Sequence, residues 1–166
     1  FKCRGAYNKM VHLDEATRAG GVVAASAGNH AQGVALAASK LGIKATIVMP
    51  VTTPLIKVDA VKALGAKVVM HGDSFDEAAV RARALTESEG FTFIHPFDDP
   101  DVIAGQGTVA VELVRQAQQP LDYVFVCCGG GGLLAGMAAY LRHVWPQTWI
   151  IGVEPEDAAC VQAALD

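Results

Sequence analysis

Tyr123-Val124-Phe125-Val126-Cys127-Cys128-Gly129-Gly130-Gly131-Gly132-Leu133-Leu134 passes from a β-branched, aromatic run through four glycines into a helical pattern. A strand that gives way to a helix through a glycine loop is where an open α/β sheet binds its ligands. Four residues without side chains lay successive N–H groups at a helix N-terminus, a cup for phosphate that needs no cation. A plain turn would not require glycine four times over, since each one loses extra conformational entropy on folding. No Gly-Lys-Ser/Thr follows, so the loop is not a P-loop. The frame from Gly130 to Ala135 fits the looser G-x-G-x-x-A dinucleotide pattern, and Glu154 ends the next strand where a ribose-binding acid could sit. On this loop alone, a dinucleotide and a smaller phosphorylated cofactor are equally served.

Outward from the loop, short β-branched runs alternate with longer segments of helical period, the pattern of parallel strands joined by crossover helices. Strands are expected at 21–26, 45–49, 67–71, 92–95, 123–127 and 149–154, and helices at 5–12, 30–41, 54–64, 74–88, 102–118, 133–144 and 158–165. Gly42, Gly65 and Gly90 stand at or near helix C′ positions, and Ser74 with Glu77 makes a capping box. The segment His95-Pro96-Phe97-Asp98-Asp99-Pro100 reads as a turn-rich break. The expectation is an α/β protein of two open domains with parallel sheets. Residues 21–99 form a small domain, and residues 1–20 with 100–166 form part of a larger one.

The 166 residues are 52% hydrophobic and 18% charged, with a formal charge of -4 and a mean hydropathy of +0.31. That balance suits buried parallel strands and excludes a disordered chain. An acidic pI ≈ 5.7 without a basic cluster speaks against a nucleic-acid binder. No apolar run nears the roughly 20 residues of a membrane helix. The spacings of Cys3, Cys127, Cys128 and Cys160 fit neither a zinc site nor a small disulfide framework. Reduced thiols and a cytoplasmic setting are the expectation, with no metal. The chain starts at Phe1 without a Met and reaches Asp166 inside a helical pattern, so it reads as a fragment of a longer protein.

Two further stretches carry chemistry. Ser26-Ala27-Gly28-Asn29-His30 is a second loop between strand and helix. Its glycine admits close backbone approach, and its hydroxyl, amide and N–H groups favour a carboxylate, although Ser or Asn there, taken alone, more often caps the helix. Phe1-Lys2-Cys3-Arg4-Gly5-Ala6 places a lysine at the entry to the first helix. A lone lysine beside apolar residues is usually a snorkelling surface residue. Here its company decides otherwise.

Phe1-Lys2-x-Arg4-Gly5-Ala6, Ser26 to Gly33, Ala104-Gly105-Gln106-Gly107-Thr108, the tetraglycine and Gly152-Val153-Glu154-Pro155, in this order over nearly the whole chain, resemble the fold type II pyridoxal-phosphate (PLP) enzymes, whose fold is that of the tryptophan synthase β chain. Within them the chain is similar to the threonine and serine dehydratases. Ile47 to Pro50, Lys57 to Ala60 and Glu156 to Cys160 resemble the biosynthetic threonine ammonia-lyases. The resemblance implies that Lys2 carries PLP covalently and then takes the substrate α-proton. It implies that Phe1 flanks the pyridine ring and Asn29 bonds the ring's 3′-oxygen. Ser26, Gly28, Asn29 and His30 line the carboxylate site, and Gly129, Gly130, Gly131 and Gly132 hold the phosphate. The implied reaction converts L-threonine to 2-oxobutanoate and ammonia, towards isoleucine, and L-serine to pyruvate. The full-length protein is expected to be a homo-oligomer.

Serine racemase is the rival reading, and two positions speak against it. A racemase needs a second proton donor after the first serine of the asparagine loop, where this chain has Ala27, whose methyl moves no proton. The racemase-like cation site takes an acid six positions after Glu154, where this chain has Cys160. A PLP-binding fragment without turnover is the reading from another class.

Overall fold

The computed structural model describes residues 1–165. In chain order the elements are α1 Lys2–Val11, α2 Glu15–Gly20, β1 Val22–Ala25, α3 Asn29–Leu41, β2 Ala45–Met49, α4 Leu55–Ala63, β3 Lys67–Met70, α5 Phe75–Glu89, β4 Thr92–Phe93, α6 Pro100–Ala117, β5 Tyr123–Cys127, α7 Gly132–Val144, β6 Trp149–Val153 and α8 Cys160–Leu165. The strands form two parallel sheets, one of order β3-β2-β1-β4 and one pairing β5 with β6.

The first sheet is covered on both faces, which is why its strands read as continuous apolar runs. Along β1 the side chains alternate. Val22 and Ala24 join Ile47 and Met49 under α1, α3 and α4, while Val23 and Ala25 join Val48 under α5. The second sheet alternates instead. Val124 and Val126 are buried against Met137, Leu141 and Ala110, whereas Tyr123 and Phe125 are exposed.

The order β3-β2-β1-β4 positions the site. The chain winds one way from β1 to β3 and then returns to place β4 on the other side of β1, so the two connections leaving β1 and β4 diverge at their carboxyl ends. Such a switch point opens a crevice. The Ser26–Gly28 loop leaves β1 on one side of it, and the turn through Pro96 and Phe97 follows β4 on the other.

Helix α1 lies between the two halves, against α3 on one side and α6 on the other. Its contact with α6 is backbone-close: a Cβ at Gly5 would lie 2.6 Å from the Val102 carbonyl oxygen, and one at Gly105 would lie 2.6 Å from that of Arg4.

Gly42, Gly65 and Gly90 take the left-handed conformation expected of them, with φ of 67°, 89° and 71°. The Ser74–Glu77 capping box is present, with Glu77 N–H donating to Ser74 Oγ at 3.2 Å and Ser74 N–H to Glu77 Oε2 at 3.2 Å. Ser74→Ala should therefore lower stability by about 1 kcal/mol, read as a lower thermal midpoint with unchanged helical content.

Several boundaries differ from the sequence reading. Helix α1 starts at Lys2 rather than Gly5. The short α2 was not anticipated, although its Asp14 cap accepts from Thr17 N–H at 2.7 Å. Helix α6 starts at Pro100, where Asp99 accepts from both Asp101 and Val102 N–H groups. Strand β4 spans two residues before the chain turns at His95-Pro96.

Candidate active site

Lys2 is the first residue of α1, and Phe1, its N-cap, has no side-chain oxygen to meet the helix's free N–H groups. One of them is met from α6: Gly5 N–H donates to Gln106 Oε1 at 3.2 Å. The rest of α1 is lashed to α6 and the turn before it. Arg4 reaches Thr108 Oγ1 at 3.1 Å and Glu112 Oε1 at 2.5 Å, Asn8 donates to the Asp101 carbonyl at 2.7 Å, and Lys9 pairs with Asp99 at 2.9 Å and Asp101 at 3.1 Å. On the other side α3 comes so close that a Cβ at Gly33 would stand 2.9 Å from Cys3 N. The helix carrying Lys2 is thus held from two directions.

The Lys2 side chain is half-buried, and its Nζ donates to the Pro96 carbonyl. The nitrogen lies 5.4 Å from the centre of the Phe1 ring and 5.9 Å from that of Phe97, within reach of their negative faces. Burial pushes the ammonium below its ordinary value, which favours the neutral, nucleophilic amine. Phe1, Lys2, Asn29 and Gln32 line one open cleft of about 350 Å³.

The Ser26 loop does not cap α3 through a side chain. Ser26 Oγ accepts from Gly28 N–H at 3.1 Å, and Gly28 is the N-cap with no side-chain partner. The first N–H groups of α3 are left without helical acceptors beside the exposed Asn29. His30 departs from the picture of a side chain lining a ligand site. It is 3% exposed, its Nε2 lies 2.9 Å from the Ile94 carbonyl, and its Nδ1 is buried without a partner. Burial lowers its pKa to about 4, so the ring is neutral at pH 7, with the proton on Nε2 where the carbonyl can accept it.

The tetraglycine has two faces. A Cβ at Gly130 would sink into the Phe97 ring, and one at Gly132 would stand 2.7 Å from the Phe97 carbonyl oxygen. On the other face, a Cβ at Gly129 would meet nothing within 4 Å, and one at Gly131 would meet only Val161 Cγ2 at 3.8 Å. Gly131, the N-cap of α7, has φ +82°, a conformation that favours glycine. One face is therefore closed by packing, while the other leaves the N–H groups of a helix start open to an anion.

Phe97 links Lys2 to the tetraglycine, and sequence reasoning missed it by reading residues 95–100 only as a break. The signal was a histidine and two aromatic or ring residues directly after a strand end. Gln106 and Thr108, given no role from the sequence, are mid-helix residues that fasten α1 to α6. Glu154 caps α8, accepting from Val161 N–H at 2.9 Å and Gln162 N–H at 3.0 Å, with Cys160 Sγ at 3.6 Å.

A half-buried amine of lowered pKa, an aromatic shelf and an open, side-chain-free helix start are the parts that a phosphorylated carbonyl cofactor would need. The amine, the rings beside it and the open N–H groups of the glycine loop fit the chemistry of PLP. The chain belongs to the pyridoxal-phosphate dependent enzyme family, whose model matches residues 1–166. It is 61% identical to the biosynthetic, chloroplastic threonine dehydratase of Arabidopsis thaliana over 99% of its own length and 28% of that protein's. Its structure superposes on the processed threonine deaminase isoform 2 of Solanum lycopersicum with a TM-score of 0.96 at 53% identity, covering 99% of this chain and 48% of that one. Maize serine racemase matches with a TM-score of 0.92 at 38% identity, over 99% and 51%. The fold is that of the fold type II PLP enzymes, and the chain spans about half of these solved chains and under a third of the Arabidopsis protein.

Proposed function

We propose that the protein containing this chain is a PLP-dependent threonine ammonia-lyase, converting L-threonine to 2-oxobutanoate and ammonia and L-serine to pyruvate. The observation that carries the reading is the half-buried Lys2 amine set beside Phe97, which packs on the glycine loop. When bound, PLP supplies an electron sink for the bond broken at the substrate Cα. Lys2 Nζ would hold it and would take the substrate α-proton. Phe1 flanks the ring, and Asn29 Nδ2 bonds its 3′-oxygen. Ser26, Gly28 and Asn29 bind the substrate carboxylate, His30 contributing through its backbone N–H because its ring is buried. Gly129, Gly130, Gly131 and Gly132 hold the phosphate, chiefly from the open face. Residues 21–99 act as the small domain, and residues 1–20 with 100–166 as part of the large one, in a homo-oligomer. The similarity of the Arabidopsis protein, named biosynthetic, supports a place on the route to isoleucine. No described helix is long and apolar enough to cross a membrane. All four cysteines are free, in keeping with a reducing cytoplasm, while the Arabidopsis relative is named chloroplastic.

The likeness to maize serine racemase supports racemisation as the second reading. Ala27 could supply no proton to the second face of the substrate Cα. The full-length protein should therefore form 2-oxobutanoate from L-threonine much faster than D-serine from L-serine. The opposite order would overturn the lyase reading.

A further inference from the structure

The turn after β4 touches both Lys2 and the glycine loop. Its Pro96 carbonyl receives Lys2 Nζ, its Phe97 ring covers Gly130, and its Asp99 caps α6 and pairs with Lys9 on α1. Half-buried His95 holds this turn together. Its Nδ1 lies 2.7 Å from Asp98 N and 3.3 Å from Phe97 N, so it accepts from both N–H groups as an Asx side chain would. Its ring meets Phe97 edge-on at 4.7 Å and Phe93 at 6.0 Å.

We propose that His95 is a positioning residue: its neutral imidazole locks the turn so that the Pro96 carbonyl holds Lys2 Nζ beside the ring that covers the glycine loop. An Nδ1 that accepts two N–H groups cannot carry a proton, which leaves Nε2 as the protonated nitrogen. The groups around the ring are Asp98 and Asp99 on the turn, Arg83 on α5, Lys2 on α1 and buried His30 on α3. Burial, with Arg83 and Lys2, disfavours a charged ring, while the two aspartates favour it. Burial is the largest influence and keeps His95 below its ordinary value. The lock is thus closed at neutral pH.

This role rests on Lys2 being the cofactor lysine, and two substitutions separate the lock from simple ring packing. His95→Asn keeps a side-chain acceptor for the Phe97 and Asp98 N–H groups but loses the ring. His95→Phe keeps a ring between Phe93 and Phe97 but has no acceptor. In the cofactor-free full-length protein, the pH profile of Lys2 acylation by acetic anhydride, read by mass spectrometry of its peptide, reports on the Nζ environment without any turnover. We expect the His95→Asn midpoint to match wild type. The His95→Phe midpoint should rise by about one pH unit towards an ordinary lysine, the usual size of such environmental effects. A packing role predicts the reverse order. Should the Phe variant fail to fold, His95→Gln, whose amide reaches one bond too far, is expected to behave as Phe does. A midpoint unchanged by the loss of the acceptor, or one that moves as far in the Asn variant, overturns the lock. A borohydride-reduced cofactor adduct on a lysine other than Lys2 overturns the assignment of Lys2 itself.

Discussion

Lys2→Ala in the full-length protein should abolish the borohydride-fixed PLP adduct and cut L-threonine turnover by about a thousandfold or more, since one positioned proton-transfer group contributes roughly 10²–10⁴-fold and the covalent attachment is lost with it. The structure offers no nearby substitute among the described residues. Lys9 is tied to Asp99 and Asp101, and Lys40 lines a different cavity on the α1–α3 face with Tyr7 and Leu36. Peptide mapping of the reduced protein checks this. An adduct on Lys40 or Lys57, or turnover within tenfold of wild type, would sink it.

Gly130→Ala should weaken PLP binding by about one to two decades. The new methyl lands inside the Phe97 ring, so Phe97 must leave its place against the glycine loop. Overpacking of this kind costs roughly 1–3 kcal/mol, and about 1.4 kcal/mol is one decade in affinity. Fluorescence titration of the cofactor-free protein measures it. Gly130→Ala combined with Phe97→Leu should recover part of the loss, because the smaller side chain leaves room. Wild-type affinity in the single variant would show that Phe97 does not close that face.

How legible was this in the sequence? Strands β2 and β5 fall where their β-branched runs place them, and the caps at Gly42, Ser74 and Gly90 are local chemistry that needs no tertiary knowledge. Lys2, Asn29 and the tetraglycine were grouped through a family resemblance; the structure brings Phe1, Lys2 and Asn29 to one cleft, which the tetraglycine does not line. That the His30 ring turns inward to Ile94 could not be read, because its direction depends on which face of α3 meets that residue, a tertiary fact. The turn at 95–99 was seen but not its role. Nothing local distinguishes a loop that merely ends a strand from one whose carbonyl receives a lysine 94 residues away. Helix α2 was missed because six residues containing Gly20 give too little period to read.

Helix α1 opens the described chain, yet almost nothing that fixes it lies nearby in sequence. Its Ala6 and Met10 need α3 to bury them, and Gly5, Arg4 and Lys2 find their partners 101, 104 and 94 residues later. Contacts of such separation close slowly, because the loop entropy is lost before the contact forms. On a ribosome the segment bearing Lys2 emerges long before its acceptors, with an apolar stripe uncovered until α3 follows. The site is complete only after the glycine loop has appeared. Cofactor capture at the proposed site would thus wait at least until the glycine loop has been made.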